Sequence, residues 1–329
     1  MTRARDLANI GPGVQTGFRN AIINGAFKID QRNAGASQTF TAAAALAYSV
    51  DRWYGYCTGA NVTGARVAGT APNQYYYRFT GAASNTAVGF GQRIESTSSS
   101  HFAGQTASLS VSLASTSITS LTWTAYYANT ADTFGSLASP TRTQIATGTF
   151  TINSTLTRYS TNISVPAAAT TGIEIVFTSG ALLATQTLTF SDVQFELGTA
   201  ATPFEYRPIG MELALCQRYY ERYQPISLSS NFGNTFAAGL WTSSTAAECI
   251  WIFKVLKRVP VSITFGPFSH FRCLQANVNW YAPSAGTHSE ASEYGSRISF
   301  TTSSGGSTGQ ASLITIASTS GWIAADAEL

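Results

Sequence analysis

Between residues 106 and 113, Ala107, Leu109, Val111 and Leu113 alternate with Thr106, Ser108, Ser110 and Ser112. This is the two-residue period of a strand with one buried face. Leu121, Trp123, Ala125 and Tyr127 repeat it, as do Ile173, Ile175 and Phe177. About ten such segments, separated by turn residues, lie between residue 21 and residue 207, and they predict a two-sheet jelly roll. In the last of them Leu188 and Phe190 hold one phase, while Val193, Phe195 and Leu197 hold the other. That slip predicts a β-bulge at Ser191 and Asp192, which turns Asp192 sideways.

One stretch breaks the strand period. Between Pro208 and Pro225, Met211, Leu215, Tyr219 and Tyr223 recur every four residues, and Leu213, Cys216 and Tyr220 widen the apolar face. The spacing predicts a connecting helix over 208–224, apolar over most of its circumference and needing cover on more than one side. Strand patterns return over 225–329, at 235–242, 246–256, 261–265, 271–281, 296–301, 311–317 and 321–325, and predict a smaller C-terminal β-sandwich. The fold class is therefore all-β. In 249–256 both phases are apolar, with Cys249, Trp251, Phe253 and Val255 on one and Ile250 and Ile252 on the other. A second apolar face in so small a domain is expected to be covered by another subunit. Met211, Leu215, Tyr219, Tyr223, Ile250 and Ile252 are thus the candidate interface residues. Between 282 and 311 the Gly/Ser/Thr/Glu-rich stretches read as mobile loops at one end of the sandwich. Residues 1–20, with Gly11, Pro12, Gly13 and Gly17, cannot build a core and read as an N-terminal anchor arm. Leu7, Ile10, Val14 and Phe18 are spaced to dock that arm on a partner.

Composition sharpens the picture. Charged residues make up 11% of the 329 residues, against roughly 25% in an ordinary soluble domain. That suits a chain which hides surface in an assembly. A net charge of +3 does not suggest a nucleic-acid binder. No apolar run reaches the ~20 residues of a membrane span, so no membrane insertion is expected. The first ten residues lack the apolar run of a secretory signal. Cys57, Cys216, Cys249 and Cys273 lack the paired spacing of zinc or redox motifs. Cys249 and Cys273 could face each other across strands, but chemistry in a reducing cytoplasm favours free thiols. His101, His270 and His288 are too scattered for a metal cluster, and neither metal nor cofactor is expected.

Signs of catalysis are weak. Gly305-Gly306-Ser307-Thr308-Gly309 matches a nucleophile elbow in letters alone, since no His follows residue 288. A glycosidase needs two converging carboxylates, and Asp51, Glu95, Glu174, Glu196, Glu290 and Glu293 come from a small pool of 16 acids. The chain is expected not to be an enzyme. Sugar binding needs less: an aromatic face, with polar side chains reading hydroxyls. Asn73-Gln74-Tyr75-Tyr76-Tyr77-Arg78 has that composition, as does the run from Trp123 to Asn129, where Tyr126 points outward. In the C-terminal domain Trp280, Tyr281, His288 and Tyr294 flank the long loop and are the leading candidates for recognition.

Four segments carry a resemblance: Asn-Ala-Ile-Ile-Asn-Gly-Ala-Phe-Lys-Ile-Asp-Gln-Arg (20–32), Val50-Asp51-Arg52-Trp53-Tyr54, the stretch 203–223 and Trp-Ile-Ala-Ala-Asp-Ala-Glu-Leu (322–329). The chain resembles virion proteins of tailed phages in which a jelly roll of carbohydrate-binding-module type leads into a second β-domain. The resemblance implies a tail-fibre or receptor-binding subunit, made in the host cytoplasm and located in the virion. It further implies a homotrimer, attachment to other virion proteins through the arm, and a host-surface glycan as partner. A head fibre or capsid decoration protein is the alternative, and a polysaccharide depolymerase the next. In such modules an Asp in the final strand often joins an acid near the first strand to hold a structural calcium ion. Here Lys28 stands at the matching position, so Asp192 is expected in a salt bridge or a capped turn.

Overall fold

The computed structural model describes residues 18–43, 45–227, 234–275 and 279–329. Its strands pair antiparallel throughout the named ladders and form four sheets. Two compact units result, one ending at Glu212 and including Leu329, the other Leu213–Glu328. The division falls inside the helix Ile209–Gln217.

The first unit is a jelly-roll sandwich. Its strands are β1 (Gln38–Phe40), β2 (Ala47–Tyr48), β3 (Tyr54–Thr58), β4 (Val62–Ala68), β5 (Tyr75–Thr80) and β6 (Ala87–Ile94). They continue with β7 (Thr106–Ser115), β8 (Ser120–Ala128), β9 (Arg142–Thr151), β10 (Thr157–Ser164), β11 (Ile173–Ser179) and β12 (Thr187–Leu197). One six-stranded sheet runs β1-β4-β5-β12-β7-β10 and the other β2-β3-β6-β11-β8-β9. The inward phases predicted from alternation meet between them: Leu109, Val111 and Leu113 share one core with Leu121, Trp123, Ile175 and Phe177. At its centre Phe90 stacks on Trp53 at 4.8 Å and on Tyr77 at 4.7 Å.

The opening motif is a structural clasp. Asn20 Nδ2 donates to the Val193 carbonyl, and its Oδ1 accepts from the Phe195 amide. Asn24 bridges the carbonyls of Ile29 and Asp51. Gly25 packs so tightly that a Cβ there would strike the Val193 carbonyl. Arg207 reaches back to the carbonyls of Asn20 and Ile22, and lies beside Glu205 and Glu212. The amides of Arg19 and Asn20 donate to the Glu205 carboxylate, which ties this end of the described chain to the sandwich. Leu7, Ile10 and Val14 lie outside the described residues, and Phe18 is exposed.

The bulge is where the phase slip put it. The β12–β7 register shifts between Ser191 and Gln194, and Asp192 has φ +51°. That left-handed turn aims the carboxylate at Asn73 Nδ2 (2.8 Å) and the Tyr206 hydroxyl (3.4 Å). Among the described residues neither a salt bridge nor a capped turn results: Arg158 bonds to the backbone carbonyl of Asp192 instead. Burial raises the Asp192 carboxyl above its ordinary value, against the pull of Asn73 and Arg158. Burial and Asp192 push the Tyr206 phenol up to about 12, so it stays a donor.

The predicted long helix is corrected. It covers Ile209–Gln217, and the chain then enters strand β13 (Tyr220–Tyr223), paired with β22 (Ile323–Asp326). Tyr219 and Tyr223 therefore do not continue the helical face of Met211 and Leu215. The four-residue recurrence joined a helix to a strand, because Tyr220 to Tyr223 finds its ladder partner at Ile323–Asp326, far along the chain, where local periodicity cannot see it. Tyr219 is buried, and Tyr223 packs on Phe236 with ring centroids 5.3 Å apart.

The second unit is the smaller sandwich. A three-stranded sheet, β13-β22-β16 (β16, Ser262–Phe265), faces a seven-stranded one. The larger sheet contains β14 (Asn234–Trp241), β15 (Ala246–Ile252), β17 (Phe271–Gln275), β18 (Asn279–Tyr281), β19 (Pro283–Ser289), β20 (Gly295–Thr302) and β21 (Ala311–Ile316). Its order is β18-β17-β21-β14-β15-β20-β19. Trp241, Phe271, Phe300 and Ile314 share one core with Ile263 and Ile323 of the smaller sheet. Ala282 alone separates the two outermost strands, so one bent segment, 279–289, curls the sheet on itself. Two expectations change here. The stretch Pro283–Ser289, expected as loop, is strand β19, because its Ser/Thr-rich residues pair with β20. The segment 271–281 is two strands. All four cysteines are buried free thiols.

Candidate functional site

The sequence-predicted recognition residues do not converge. Trp280 lies on β18, 52% exposed, with the Arg272 guanidinium 4.6 Å from its ring centre. Tyr281 turns inward, edge-on to Trp241. His288 is exposed on the opposite outer strand, across from Ile298, and Tyr294 is exposed in the turn that precedes β20. Trp280 and His288 lie on the two arms of the bent segment 279–289, β18 and β19, with Ala282 alone between those strands. They flank no common loop. Ile250 and Ile252 are 66% and 76% exposed, beside Tyr294 and Arg297 in a shallow hollow of about 390 Å³.

Tyr126 has a different setting. Phe90, Trp123 and Ile175 enter the jelly-roll core, so alternate residues on their strands face outward. Register then aligns three cross-strand rows on the outer face of the second sheet. The first is Tyr56, Gly89, Thr178, Thr122 and Thr149; the second is Tyr54, Gly91, Val176, Thr124 and Thr147. The third is Arg93, Glu174, Tyr126 and Gln144. The two glycines have a use here: a Cβ on Gly89 would meet the Tyr56 ring, and one on Gly91 would meet Tyr54. Both tyrosines can therefore lie flat across the sheet.

Charge is concentrated at one end of these rows. Tyr54 Oη and Arg93 Nε donate to Glu174 Oε1 at 2.6 and 2.8 Å, and Arg142 Nη1 pairs with Oε2. Arg93 Nη2 also donates to the Gly135 carbonyl, which ties down the β8–β9 connection. The Arg142 guanidinium sits 4.1 Å from the centre of the Tyr126 ring. Burial, reinforced by the Glu174 charge, holds the Tyr54 phenol well above its ordinary 10.0. Burial works against the Arg142 cation, but Glu174, Tyr54 and Tyr126 together outweigh it, and its value ends up raised. A fixed guanidinium and a half-buried ring thus adjoin a field of threonines, where the Thr124 and Thr147 hydroxyls lie 3.0 Å apart.

Tyr54, Arg93, Glu174, Val176 and Thr124 are buried in this face, and its accessible part includes Tyr126, Arg142, Thr122, Gln144, Thr147 and Thr149, a ring with a guanidinium and hydroxyls around it. Glu174 is the one carboxylate in the three rows, and both its oxygens are engaged. Asp51 accepts from Gln31, Glu95 from Thr97, and Glu196 from Thr202 and Gln194. Among the described residues no group of three His, Cys, Asp or Glu gathers that could hold a metal ion. The calcium site implied by resemblance does not fit: calcium takes about 6–8 oxygen ligands. Lys28 places its ammonium 5.2 Å from the ring centre of Tyr206, itself a partner of Asp192. Sequence reasoning missed Arg93, Arg142 and Tyr54 as a cluster. Their outward phase was readable, but strand order was needed to bring 54, 93, 142 and 174 together.

No family model and no curated protein matches the chain. Solved structures resemble about half of it. A family 4 carbohydrate-binding module aligns with TM-score 0.33 and 16% identity, over 53% of this chain and 98% of that one. A family 61 carbohydrate-binding module in complex with β-1,4-galactotriose aligns with TM-score 0.33 and 10% identity, over 55% and 99%. The enzymatically active domain of tailspike protein 4 of bacteriophage CBA120 aligns with TM-score 0.32 and 14% identity, over 54% of this chain and 21% of that one.

Proposed function

We propose that this chain is a non-enzymatic appendage protein of a tailed-phage virion, a tail-fibre or receptor-binding subunit that attaches to host-surface glycans. The observation that carries the glycan reading is the outer face of the second jelly-roll sheet. There Arg142 clamps Tyr126 beside the threonine rows, with no second carboxylate among them. Stacking of a sugar on one ring contributes on the order of 1 kcal/mol, so several copies acting together are needed for firm attachment.

The virion reading rests on the motifs at 20–32, 50–54, 203–223 and 322–329, and on a charge content of 11%. Labelling intact particles with an antibody against this chain tests it. Label at the tail is the expected result; label over the capsid would favour a decoration protein and overturn the tail assignment.

A homotrimer is part of the same reading. Ile250, Ile252 and Tyr294 form an apolar outer face around the hollow near Arg297, larger than scattered single residues need. Light scattering at micromolar concentration should give three copies of the 34.9 kDa chain. Ile250→Asp should shift that mass toward one copy. A single-copy mass for the folded wild type would contradict the trimer.

A further inference from the structure

We infer that the opposite sheet of the jelly roll carries a second saccharide site, one that selects a sugar carboxylate through Arg78. The segment involved is the aromatic run 73–78, which the Tyr126 face leaves unused.

Tyr77 and Phe79 enter the core, so Tyr76 and Arg78 face out from β5. Register sets Arg78 between Ala65 of β4 and Thr189 of β12, and Thr189 faces Ala114 of β7. The small side chains leave a cleft of about 350 Å³, to which Tyr76, Thr116, Ser154 and Leu156 also contribute. That is within the range of roughly 300–1,000 Å³ usual for small-ligand sites.

Two features make the cleft selective for an anion. Arg78 Nε donates to Thr189 Oγ1 at 3.1 Å, which fixes the guanidinium plane and leaves its two terminal amino groups for a ligand. Among the described residues Arg78 forms no ion pair, and no residue lining the cleft is acidic. On the same face Arg158, opposite Ser112, bonds to the Asp192 carbonyl and the Ser110 hydroxyl. Its charge is offset by nearby Asp192 and Glu196, so the anion selectivity rests on Arg78. A half-buried guanidinium with a free fork matches the planar, two-oxygen geometry of a carboxylate. The Tyr76 ring, held by its hydroxyl to the Thr70 amide at 2.9 Å, offers a stacking wall beside it. Hydroxyls around a carboxylate hook suit a uronic or sialic acid rather than a neutral hexose. This site is separate from the Tyr126 face, and either can fail without the other.

The test is calorimetric titration of the full chain with oligosaccharides of glucuronic, galacturonic and sialic acid, their methyl esters, and inorganic phosphate. At least one acid should bind, its methyl ester about ten-fold more weakly or worse. Arg78→Gln should lower affinity for the acid about ten-fold, and Arg78→Lys should restore part of it. Ser154→Asp is an exposed change that keeps the fold and places a negative charge at the rim; it should weaken the acid several-fold. Circular dichroism and thermal unfolding would verify folding of each variant. Three outcomes overturn the proposal. No acid on the panel binds; or esters or phosphate bind as well as acids; or acid binding survives Arg78→Gln and Ser154→Asp but is lost in Tyr126→Ala, which would move it to the other sheet.

Discussion

Glu174→Ala is expected to destabilise the jelly roll by about 3–5 kcal/mol, the cost of removing one partner from a buried ion cluster. Arg93 and Arg142 would be left with side chains only 7% and 14% exposed, and the Tyr54 hydroxyl would lose its acceptor. Glu174→Gln should recover part of the loss, because the amide oxygen still accepts one hydrogen bond. Urea unfolding followed by tryptophan fluorescence reads both. A loss below about 1 kcal/mol for Glu174→Ala, the range of a surface pair, would show that the cluster is hydrated and the face less ordered than described.

The second large effect lies in the C-terminal unit. Lys257 Nζ bonds to Glu221 at 2.7 Å and to the Gln217 carbonyl, with side chains 0% and 2% exposed. Lys257→Met should cost about 3–5 kcal/mol by stranding Glu221, whereas Lys257→Met with Glu221→Leu should return most of that. The pH dependence has a definite sign. Burial holds the Lys257 amine below its ordinary 10.5, although Glu221 opposes the shift. The folded unit then releases this proton before the unfolded chain does. Its share of stability is lower while the amine is charged, and grows as pH rises through the depressed value toward 10.5. Lys257→Met should abolish that rise. Equal losses in the single and double variants would instead assign the effect to packing.

How far the fold could be read depended on where each signal was local. Strict alternation in 106–113, 121–127 and 173–177 identified strands and their buried faces, because a half-buried antiparallel strand imposes a two-residue period. The phase slip at Ser191 and Asp192 identified a bulge for the same reason. The helix was over-extended where Tyr219 and Tyr223 prolonged its spacing by coincidence, since the strand partner of 220–223 lies at 323–326. The outer strand Pro283–Ser289 was missed because it is exposed along most of its length and shows no apolar period. For the site, Tyr126 was legible as an outward aromatic, but the cluster that fixes it was not. Arg93, Arg142 and Glu174 come from three strands of one sheet, and only strand order makes them neighbours.

That reordering also changes which variants matter. Trp280 and Tyr294 are exposed aromatics without a common site, whereas Tyr126 is held by Arg142 within a patterned face. The direct test is binding of the purified full chain to host-surface polysaccharide, measured by biolayer interferometry on wild type, Tyr126→Ala, Trp280→Ala and Tyr294→Ala. Wild type should bind, and Tyr126→Ala should weaken each site several-fold, as expected for about 1 kcal/mol of stacking, with a larger loss in the multivalent assembly. Trp280→Ala and Tyr294→Ala should change it little. No binding by wild type, or loss in the Trp280 and Tyr294 variants with Tyr126→Ala unaffected, would contradict the account.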